Sequence, residues 1–276
     1  MSSLTADRLF GVRGKVVLIT GGSRGIGKMI ANGFVSNGAK VYICSRIEKE
    51  CKAAAKELNA LGTGICIALS ADLQKLSDVE RLVNELSKHE KMLHVLVNNA
   101  GATWAEELDT YPDAAFTKIL MLNVQRVFTL TQKCLPLLRA AARASEMTGN
   151  VPNDPARVIN IGSVEGEGVP PRNTYAYSAS KAALHHLSRH LAGRLGWDGI
   201  TSNTIACGPF KSKMMAHTLR TQGDAIKSTR PLQRIGEPED IVGTVLFLCS
   251  RAGAYVNGAT IALDGGGLVI GPKPTL

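Results

Sequence analysis

A glycine-rich turn between an apolar segment and a helix-like segment constrains the fold of this chain more than any other feature. Residues 15–20 (KVVLIT) are apolar and β-branched and lie between Gly14 and Gly21, which is typical of a buried strand. The turn itself is TGGSRGIG at 20–27, and 28–37 has a helical pattern. Glycine allows close approach of a pyrophosphate, and a helix N-terminus offers free N–H groups to it. We therefore predict a dinucleotide-binding unit, spaced G-x-x-x-G-x-G; a turn that binds nothing is the alternative.

Apolar segments alternate with helical patterns along the whole chain. The predicted strands are 15–20, 40–44, 64–70, 93–98, 157–162, 200–206 and 259–263. Such alternation predicts a parallel sheet with helices on both faces, in the α/β class. The chain has 276 residues, 45% of them hydrophobic, and shows neither a linker nor an internal repeat. We therefore expect a single domain over 1–276.

Two segments interrupt this alternation. Residues 139–156 begin like the end of a helix and continue with loop chemistry over 148–155, which predicts a surface insertion. Residues 268–276 contain two prolines and predict a non-helical tail. Segment 238–250, in contrast, starts with proline and two acidic residues, which favours an ordinary structural helix.

Tyr177 and Lys181 are four residues apart, so on a helix their side chains emerge from the same face. An ammonium beside a phenol lowers the phenol pKa, which makes the phenol a proton donor or acceptor near neutral pH. Ser163 comes fourteen residues before Tyr177, directly after the predicted strand 157–162. Tyr175 also precedes the helix, but Ala179 follows it at the same spacing and carries no charge. The pair predicted to handle protons is therefore Tyr177 and Lys181.

Several segments together resemble the short-chain dehydrogenase/reductase family. They occur in the family's order within residues 12–267, as TGGSRGIG at 20–27, Asp72-Leu73, NNAG at 98–101, Asn123, Ser163, YSASK at 177–181 and GPF at 208–210. Segment 180–192 (SKAALHHLSRHLA) is similar to the branch of 3-oxoacyl-[acyl-carrier-protein] reductases, with its rhamnolipid-pathway and gluconate-dehydrogenase-like members. The resemblance implies a single-domain Rossmann fold with a doubly wound, seven-stranded parallel sheet.

The resemblance also implies hydride transfer between a nicotinamide and a carbonyl or alcohol carbon. Tyr177 would act as general acid/base, and Lys181 would lower its pKa and hold the nicotinamide ribose. Ser163 would bind the substrate oxygen, and Asn123 would support a water chain to Lys181. From the residues alone, Ser163 could equally cap a turn and Asn123 could be an ordinary polar helix residue. The implied cofactor contacts are Gly21, Ser23, Arg24, Gly25, Ile26, Gly27, Ser45, Arg46, Asp72, Leu73, Asn99, Ala100, Gly101, Tyr177, Lys181, Gly208, Pro209, Phe210 and Ser212.

The end of the second predicted strand bears on the choice of nicotinamide cofactor. NAD enzymes of this kind usually carry an acidic residue there, which bonds to the ribose 2′-hydroxyl. This chain has Ser45 and Arg46 instead, and Arg24 in the glycine turn supplies a second cation. Arginine can bind a 2′-phosphate bidentately, so we predict NADP(H) rather than NAD(H). A solvated loop position for Arg46 is the alternative.

The end of the sixth predicted strand departs from the family pattern. Cys207 stands where the family often has proline before Gly208. Segment 210–231 is predicted to be a flexible lid, whose methionines suit apolar ligands and whose cations suit an anionic group. A solvated amphipathic helix is the alternative interpretation.

Charge and cysteine content bear on partners and location. The net charge of +9 is scattered, which favours a soluble enzyme with mild attraction for phosphates over a nucleic-acid-binding protein. The six cysteines form no CxxC pair, and no apolar run is long enough to span a membrane, so we expect a cytoplasmic location. His186 and His190 lack a third ligand, and we predict no metal. The family resemblance implies a homodimer or homotetramer, paired through the helices after 112 and 174.

The leading functional hypothesis is an NADPH-dependent reductase of a ketone or 3-oxoacyl substrate. A sugar-acid or polyol dehydrogenase running oxidatively uses the same fold and residues and stays open. A redox sensor that binds the dinucleotide without turnover is a third possibility, although such sensors commonly lack the tyrosine or the lysine.

Overall fold

Seven strands form one parallel sheet in the computed structural model, which describes residues 4–212 and 215–269. The strands are β1 (Val16–Thr20), β2 (Lys40–Ser45), β3 (Ile65–Ser70), β4 (Val95–Asn98), β5 (Met147–Thr148), β6 (Val151–Pro152), β7 (Ala156–Ile161), β8 (Ile200–Cys207) and β9 (Thr260–Leu263). The order across the seven-stranded sheet is β3-β2-β1-β4-β7-β8-β9, and β5 and β6 pair separately. The predicted α/β class and the doubly wound seven-stranded sheet are confirmed, and each predicted strand lies within two residues of the observed one.

Helices cover both faces of this sheet. They are α1 (Ala6–Phe10), α2 (Gly25–Ser36), α3 (Glu48–Asn59), α4 (Leu76–His89), α5 (Asp113–Leu120), α6 (Arg126–Ala144), α7 (Tyr175–Leu195), α8 (Ala216–Ser228) and α9 (Pro238–Cys249). Val17 and Ile19 of β1 pack with α2, α3 and α9 in one hydrophobic cluster. Leu18 between them packs with α4 and α6 in a second cluster. Because alternate residues enter different cores, every residue of β1 is buried, which explains its continuous apolar sequence.

The order of the strands creates a crevice at one edge of the sheet. The chain builds β1, β2 and β3 outward in one direction, and then returns to place β4 on the other side of β1. Connections on the two sides of this switch point diverge, which leaves a crevice outside the carboxyl ends of β1 and β4. The glycine turn follows β1 directly, so its predicted position in a binding site agrees with the topology.

The segment 139–156 differs in part from its prediction. Helix α6 continues to Ala144, and β5 and β6 then pair as a small antiparallel hairpin where a loop was predicted over 148–155. Gly149 has a φ of 62° and supplies the left-handed backbone that a two-residue hairpin turn requires. The predicted tail also begins differently, because Gly267–Val269 forms a short 3-10 turn. Residues 270–276 of that tail lie outside the described residues.

The helix predicted over 238–250 is confirmed as α9. Its N-terminus carries a capping box in which the side chains of Glu237 and Asp240 bond to each other's backbone N–H groups. The six cysteines are buried free thiols. Within the described ranges, no helix combines the length and the apolar character that crossing a membrane requires.

Candidate active site

A cleft of about 750 Å³ opens at the carboxyl ends of the central strands. Nearly all the predicted site residues line it, namely Gly21, Ser23, Arg24, Gly25, Ile26, Ser45, Arg46, Asp72, Leu73, Asn99, Ala100, Gly101, Ser163, Tyr177, Lys181, Gly208, Pro209, Phe210 and Ser212. Gly27 and Asn123 do not, and both are buried behind the cleft wall. The sequence motifs therefore converge on one cavity, while these two residues act from behind it.

The backbone of the glycine turn is fixed by close packing. Gly21 and Gly25 have φ values of 65° and 53°, a region that side chains other than glycine rarely adopt. A Cβ on Gly27 would lie 2.4 Å from the Gly21 carbonyl oxygen and 2.5 Å from Asn99 Nδ2. The same amide nitrogen donates to the Thr20 carbonyl at 2.8 Å, as expected for a brace at the sheet end. The turn and the N-terminus of α2 are thus held against the cleft in a shape that accepts a phosphate group.

Replacing Gly27 by alanine tests this packing. The added methyl group has no room, so we expect the free energy of unfolding to fall by about 1–3 kcal/mol and the affinity for NADPH to weaken. Gly193→Ala is the matched control, because a Cβ on this exposed α7 residue meets no atom within 4 Å. Removing a helical glycine there should leave stability equal or raise it by about 0.5–1 kcal/mol. Urea unfolding and calorimetric titration measure both quantities, and a Gly27→Ala variant that matched the wild type would contradict the interpretation.

Two arginines flank the cleft at the end of β2. Arg46 is exposed and lines the cleft beside Ser45, and no carboxylate occupies the end of this strand. Arg24 in the glycine turn reaches Glu50 of α3 at 3.4 Å, and both side chains are about half exposed. This corner therefore carries two cations and one acidic group, and that acidic group already has a partner.

Asp72 follows β3, where it both shapes a turn and lines the cleft. Its Oδ1 accepts the Gln74 N–H at 3.2 Å, so it shapes the turn, and it also lines the cleft.

Helix α7 brings Tyr177 and Lys181 to the cleft on one face, as their spacing predicts. Lys181 Nζ lies 5.6 Å from the centre of the Tyr177 ring and donates a hydrogen bond to the Ile161 carbonyl at 2.7 Å. Ser163 follows β7, lines the same cleft, and accepts the Glu165 N–H through Oγ at 3.2 Å. Ser163 therefore both caps the turn and lines the cleft.

The expected acidification of Tyr177 by Lys181 is wrong for this structure. Burial raises the pKa of Tyr177 to about 12, although the Ser163 hydroxyl acts in the opposite direction. Burial also lowers the pKa of Lys181 to about 8. Loss of water is the largest cause of both pKa shifts, so the phenol keeps its proton at neutral pH.

The buried lysine has a measurable effect on stability. Lys181 loses its proton near pH 8 in the folded chain and near its ordinary value of 10.5 in the unfolded chain. The unfolded chain therefore binds more protons between pH 8 and 10.5, and the free energy of unfolding rises with pH across that window. Relative to Lys181→Met, we expect the wild type to gain about 3 kcal/mol from pH 8 to 10.5. Urea unfolding at several pH values measures this difference, and a constant difference would count against the assignment.

Asn123 lies in a π-helical turn, Met121–Gln125, between α5 and α6. Its Nδ2 donates to the Ala102 carbonyl at 2.9 Å and to Ser180 Oγ at 3.0 Å, and its Oδ1 accepts the Ala102 N–H at 3.0 Å. These bonds join the loop after β4 to helix α7. The side chain thus braces the cleft wall through hydrogen bonds to Ala102 and Ser180, and its link to Lys181 through water stays a prediction.

The loop between Ser163 and Tyr177 is organised around Glu165. Its carboxylate, whose side chain is 8% exposed, pairs with Arg172 at 2.5 Å. It also accepts the hydroxyl groups of Thr174 at 2.7 Å and Ser178 at 3.2 Å. Glu165 also lines the cleft. Its hydrogen bonds, however, are used to hold the loop onto the start of α7.

Sequence reasoning missed His185, which is almost fully buried next to Ser163. The Ser163 backbone N–H donates to His185 Nε2 at 3.4 Å, and His185 Nδ1 lies 2.6 Å from Glu167 Oε1. Its position four residues after Lys181 could have indicated it, because that spacing places His185 on the same face of the helix. The sequence directed attention instead to His186 and His190, which are exposed.

The predicted segment after β8 closes the far side of the cleft. Phe210 is buried, and a Cβ on Gly236 would overlap its ring. Helix α8 lies in the predicted lid, and Met215, Thr218, Ile226 and Arg230 from this region line the cleft. Lys213 and Met214 of the predicted lid lie outside the described residues.

Comparisons with known proteins agree with this site. The family model described as enoyl-(acyl carrier protein) reductase matches residues 21–267. The rhamnolipids biosynthesis 3-oxoacyl-[acyl-carrier-protein] reductase of Pseudomonas aeruginosa is 42% identical over 93% of this chain and 97% of its own. The RhlG/NADP active-site complex, also from Pseudomonas aeruginosa, superposes with a TM-score of 0.89 at 42% identity, over 95% of this chain and 99% of that one.

A further solved structure, from Beutenbergia cavernae, is described as a candidate NAD(P)-dependent gluconate 5-dehydrogenase with NADP bound at low occupancy. It has a TM-score of 0.84 at 30% identity, over 95% of this chain and 99% of that one. The predicted similarity to 3-oxoacyl reductases and gluconate-dehydrogenase-like proteins is confirmed by these relatives. The cleft, the motifs that line it and these matches together show that the chain belongs to the short-chain dehydrogenase/reductase family of oxidoreductases.

Proposed function

We propose that this protein is an NADPH-dependent reductase that converts a ketone or 3-oxoacyl substrate to a secondary alcohol. The observation that carries the proposal is the meeting of Ser163, Tyr177 and Lys181 in one cleft, whose other end is flanked by Arg24 and Arg46. The two solved structures that are described as containing NADP support the same cofactor for this chain.

The residues at the cleft fit a phosphorylated dinucleotide. The glycine turn leaves room for a pyrophosphate, because a Cβ on Gly25 would meet Ser212 across the turn at 3.2 Å. The N-terminus of α2 offers its N–H groups to the same group. At the end of β2, Arg46 and Arg24 would hold the 2′-phosphate. Tyr177 and Lys181 would hold the nicotinamide ribose.

The nicotinamide supplies a hydride to the carbonyl carbon when NADPH is bound. Tyr177 donates its proton to the carbonyl oxygen as negative charge develops there, and the high pKa of the phenol keeps this proton available at neutral pH. Below about pH 8 the Lys181 ammonium stabilises the phenolate that remains. Ser163 donates a hydrogen bond to the same substrate oxygen and fixes its approach. Asn123 acts indirectly, by bracing the loop after β4 against α7.

A substrate screen tests the proposal. Purified protein is mixed with NADPH and a broad panel of ketones and 3-oxoacyl thioesters, and the loss of NADPH absorbance is followed. Turnover of at least one class of carbonyl is expected. If no member of the panel is reduced, the proposal is abandoned, and tight binding of NADPH without turnover would favour the redox-sensor alternative.

An oxidative sugar-acid or polyol dehydrogenase is the second candidate, favoured by the gluconate 5-dehydrogenase-like structure at 30% identity. The same residues would serve it, with Tyr177 accepting the alcohol proton. Comparing NADP⁺-linked oxidation of gluconate with NADPH-linked reduction of acetoacetyl thioesters separates the two candidates.

We also propose that the protein is a homodimer or homotetramer. Helices α5, α6 and α7 expose the aromatic residues Phe116, Phe128 and Tyr175, which a partner subunit could cover. Light scattering coupled to size-exclusion chromatography measures the mass directly, and a monomer would exclude this part of the proposal.

A further inference from the structure

We propose that His185 is a positioning residue that holds Ser163 in place through its backbone, with Glu167 fixing the orientation of the imidazole. The inference rests on the proposed function, because it assigns His185 to the placement of the residue that would bind the substrate oxygen. His185 lies within segment 180–192, but it is not among the site residues that the family resemblance implies.

His185 lies on the same face of α7 as the two proposed catalytic residues. Tyr177, Lys181 and His185 follow one another at intervals of four residues, so they form a continuous stripe that faces the end of β7. Lys181 bonds to the Ile161 carbonyl at 2.7 Å, and His185 accepts the Ser163 N–H at 3.4 Å. Two side chains of one helix thus hold the backbone on either side of Gly162. The position of Ser163 relative to Tyr177 is set by this helix.

The loop that carries Ser163 fits closely around the imidazole ring of His185. A Cβ on Gly162 would lie 2.3 Å from His185 Nε2, and one on Gly166 would lie 2.8 Å from His185 Cε1. Glycines on both sides of Ser163 therefore let the loop pack directly against the ring. Such a fit leaves Ser163 little freedom to move while His185 stays in place.

The hydrogen bonds of the two ring nitrogens fix the tautomer of His185. Because Nε2 accepts a backbone N–H, the proton of the neutral imidazole resides on Nδ1, which donates to Glu167 Oε1 at 2.6 Å. Burial lowers the pKa of His185; Glu167 opposes this shift, whereas the charges of Lys181 and Arg189 add to it. Protonation of Nε2 would place its N–H opposite the Ser163 backbone N–H. The hydrogen bond that holds Ser163 would then be lost. Acidification below the usual histidine range should therefore loosen the site.

Three variants separate positioning from simple packing. His185→Leu keeps much of the volume and removes the acceptor, and we expect kcat to fall about 10–100-fold with the Kd for NADPH unchanged. His185→Gln keeps an acceptor near the place of Nε2 and should recover most of kcat. Because glutamine does not titrate, this variant should also lose the acid-side decline in rate. His186→Gln, on the exposed side of the same helix, is the matched control and should behave as the wild type.

Two readouts do not depend on turnover. Nitrogen NMR of labelled histidine should show the Nδ1–H tautomer for His185, and hydrogen exchange of the peptide spanning 162–168 should be faster in His185→Leu than in the wild type. If the wild type reduces no carbonyl compound, the proposed function fails while these measurements still decide the positioning role. The inference is overturned by an Nε2–H tautomer, by unchanged exchange in His185→Leu, or by a His185→Gln variant as inactive as His185→Leu.

Discussion

Replacing Tyr177 by phenylalanine is expected to lower kcat by about 10²–10⁴-fold, the usual contribution of a positioned proton donor. The ring would remain in its partly buried position beside Lys181, so the cleft should keep its shape and its affinity for NADPH. The reduced carbonyl would then have to take its proton from water. Steady-state rates with a substrate from the carbonyl panel, together with fluorescence titration of NADPH, measure the two effects separately.

Tyr175→Phe provides the control for this experiment. Tyr175 lies two residues earlier on the same helix, is partly exposed, and donates its hydroxyl to Asn173 Oδ1 at 3.1 Å. Removing this hydroxyl should leave kcat unchanged. Turnover retained in Tyr177→Phe, or lost equally in both variants, would be incompatible with the proton-donor role.

The sheet could be predicted from the sequence because its strands are buried on both faces. Such strands form continuous apolar segments with glycine or polar residues at their ends, and both signals are local. β2 was predicted at 40–44 and extends from Lys40 to Ser45, and β7 was predicted at 157–162 and extends from Ala156 to Ile161. The β5–β6 hairpin was missed because its strands have two residues each and bury almost no apolar surface.

The contents of the cleft were predictable for a related reason. Residues directly after parallel strands meet at one edge of the sheet, so motifs at strand ends converge even when they are far apart in sequence. Gly27 is an exception, because it belongs to a motif at a strand end but does not line the cleft. Its lack of a side chain lets α2 pack closely against Gly21 and Asn99.

The electrostatic state of the pair Tyr177 and Lys181 could not be predicted from their spacing. Four-residue spacing establishes that they are neighbours, but their pKa values depend on how much water the complete fold removes from each. In this structure burial raises the pKa of the phenol and lowers that of the amine. His185 was missed for a similar reason, because its partner is the backbone of a loop that the sequence alone does not place beside α7.

The second large effect is expected at the end of β2. The double variant Arg24→Ala/Arg46→Ala should lower the ratio of kcat/KM for NADPH to that for NADH by about 10²–10⁴-fold, since each charge-assisted hydrogen bond to the 2′-phosphate discriminates about 10–100-fold. Removing Arg24 also releases Glu50, which now pairs with it at 3.4 Å. An unpaired carboxylate at this corner repels a phosphate and can accept a ribose hydroxyl, so both changes act in the same direction.

Lys49→Ala separates this local effect from the loss of overall positive charge. Lys49 is exposed on α3, between the two acidic residues Glu48 and Glu50, and does not line the cleft. Its removal changes the net charge without removing a phosphate ligand, so the cofactor preference should stay close to that of the wild type. Raising the ionic strength should weaken NADPH binding to the wild type more than to the double variant, because these two contacts lie at the surface. A double variant that still preferred NADPH as strongly as the wild type would show that other groups recognise the 2′-phosphate.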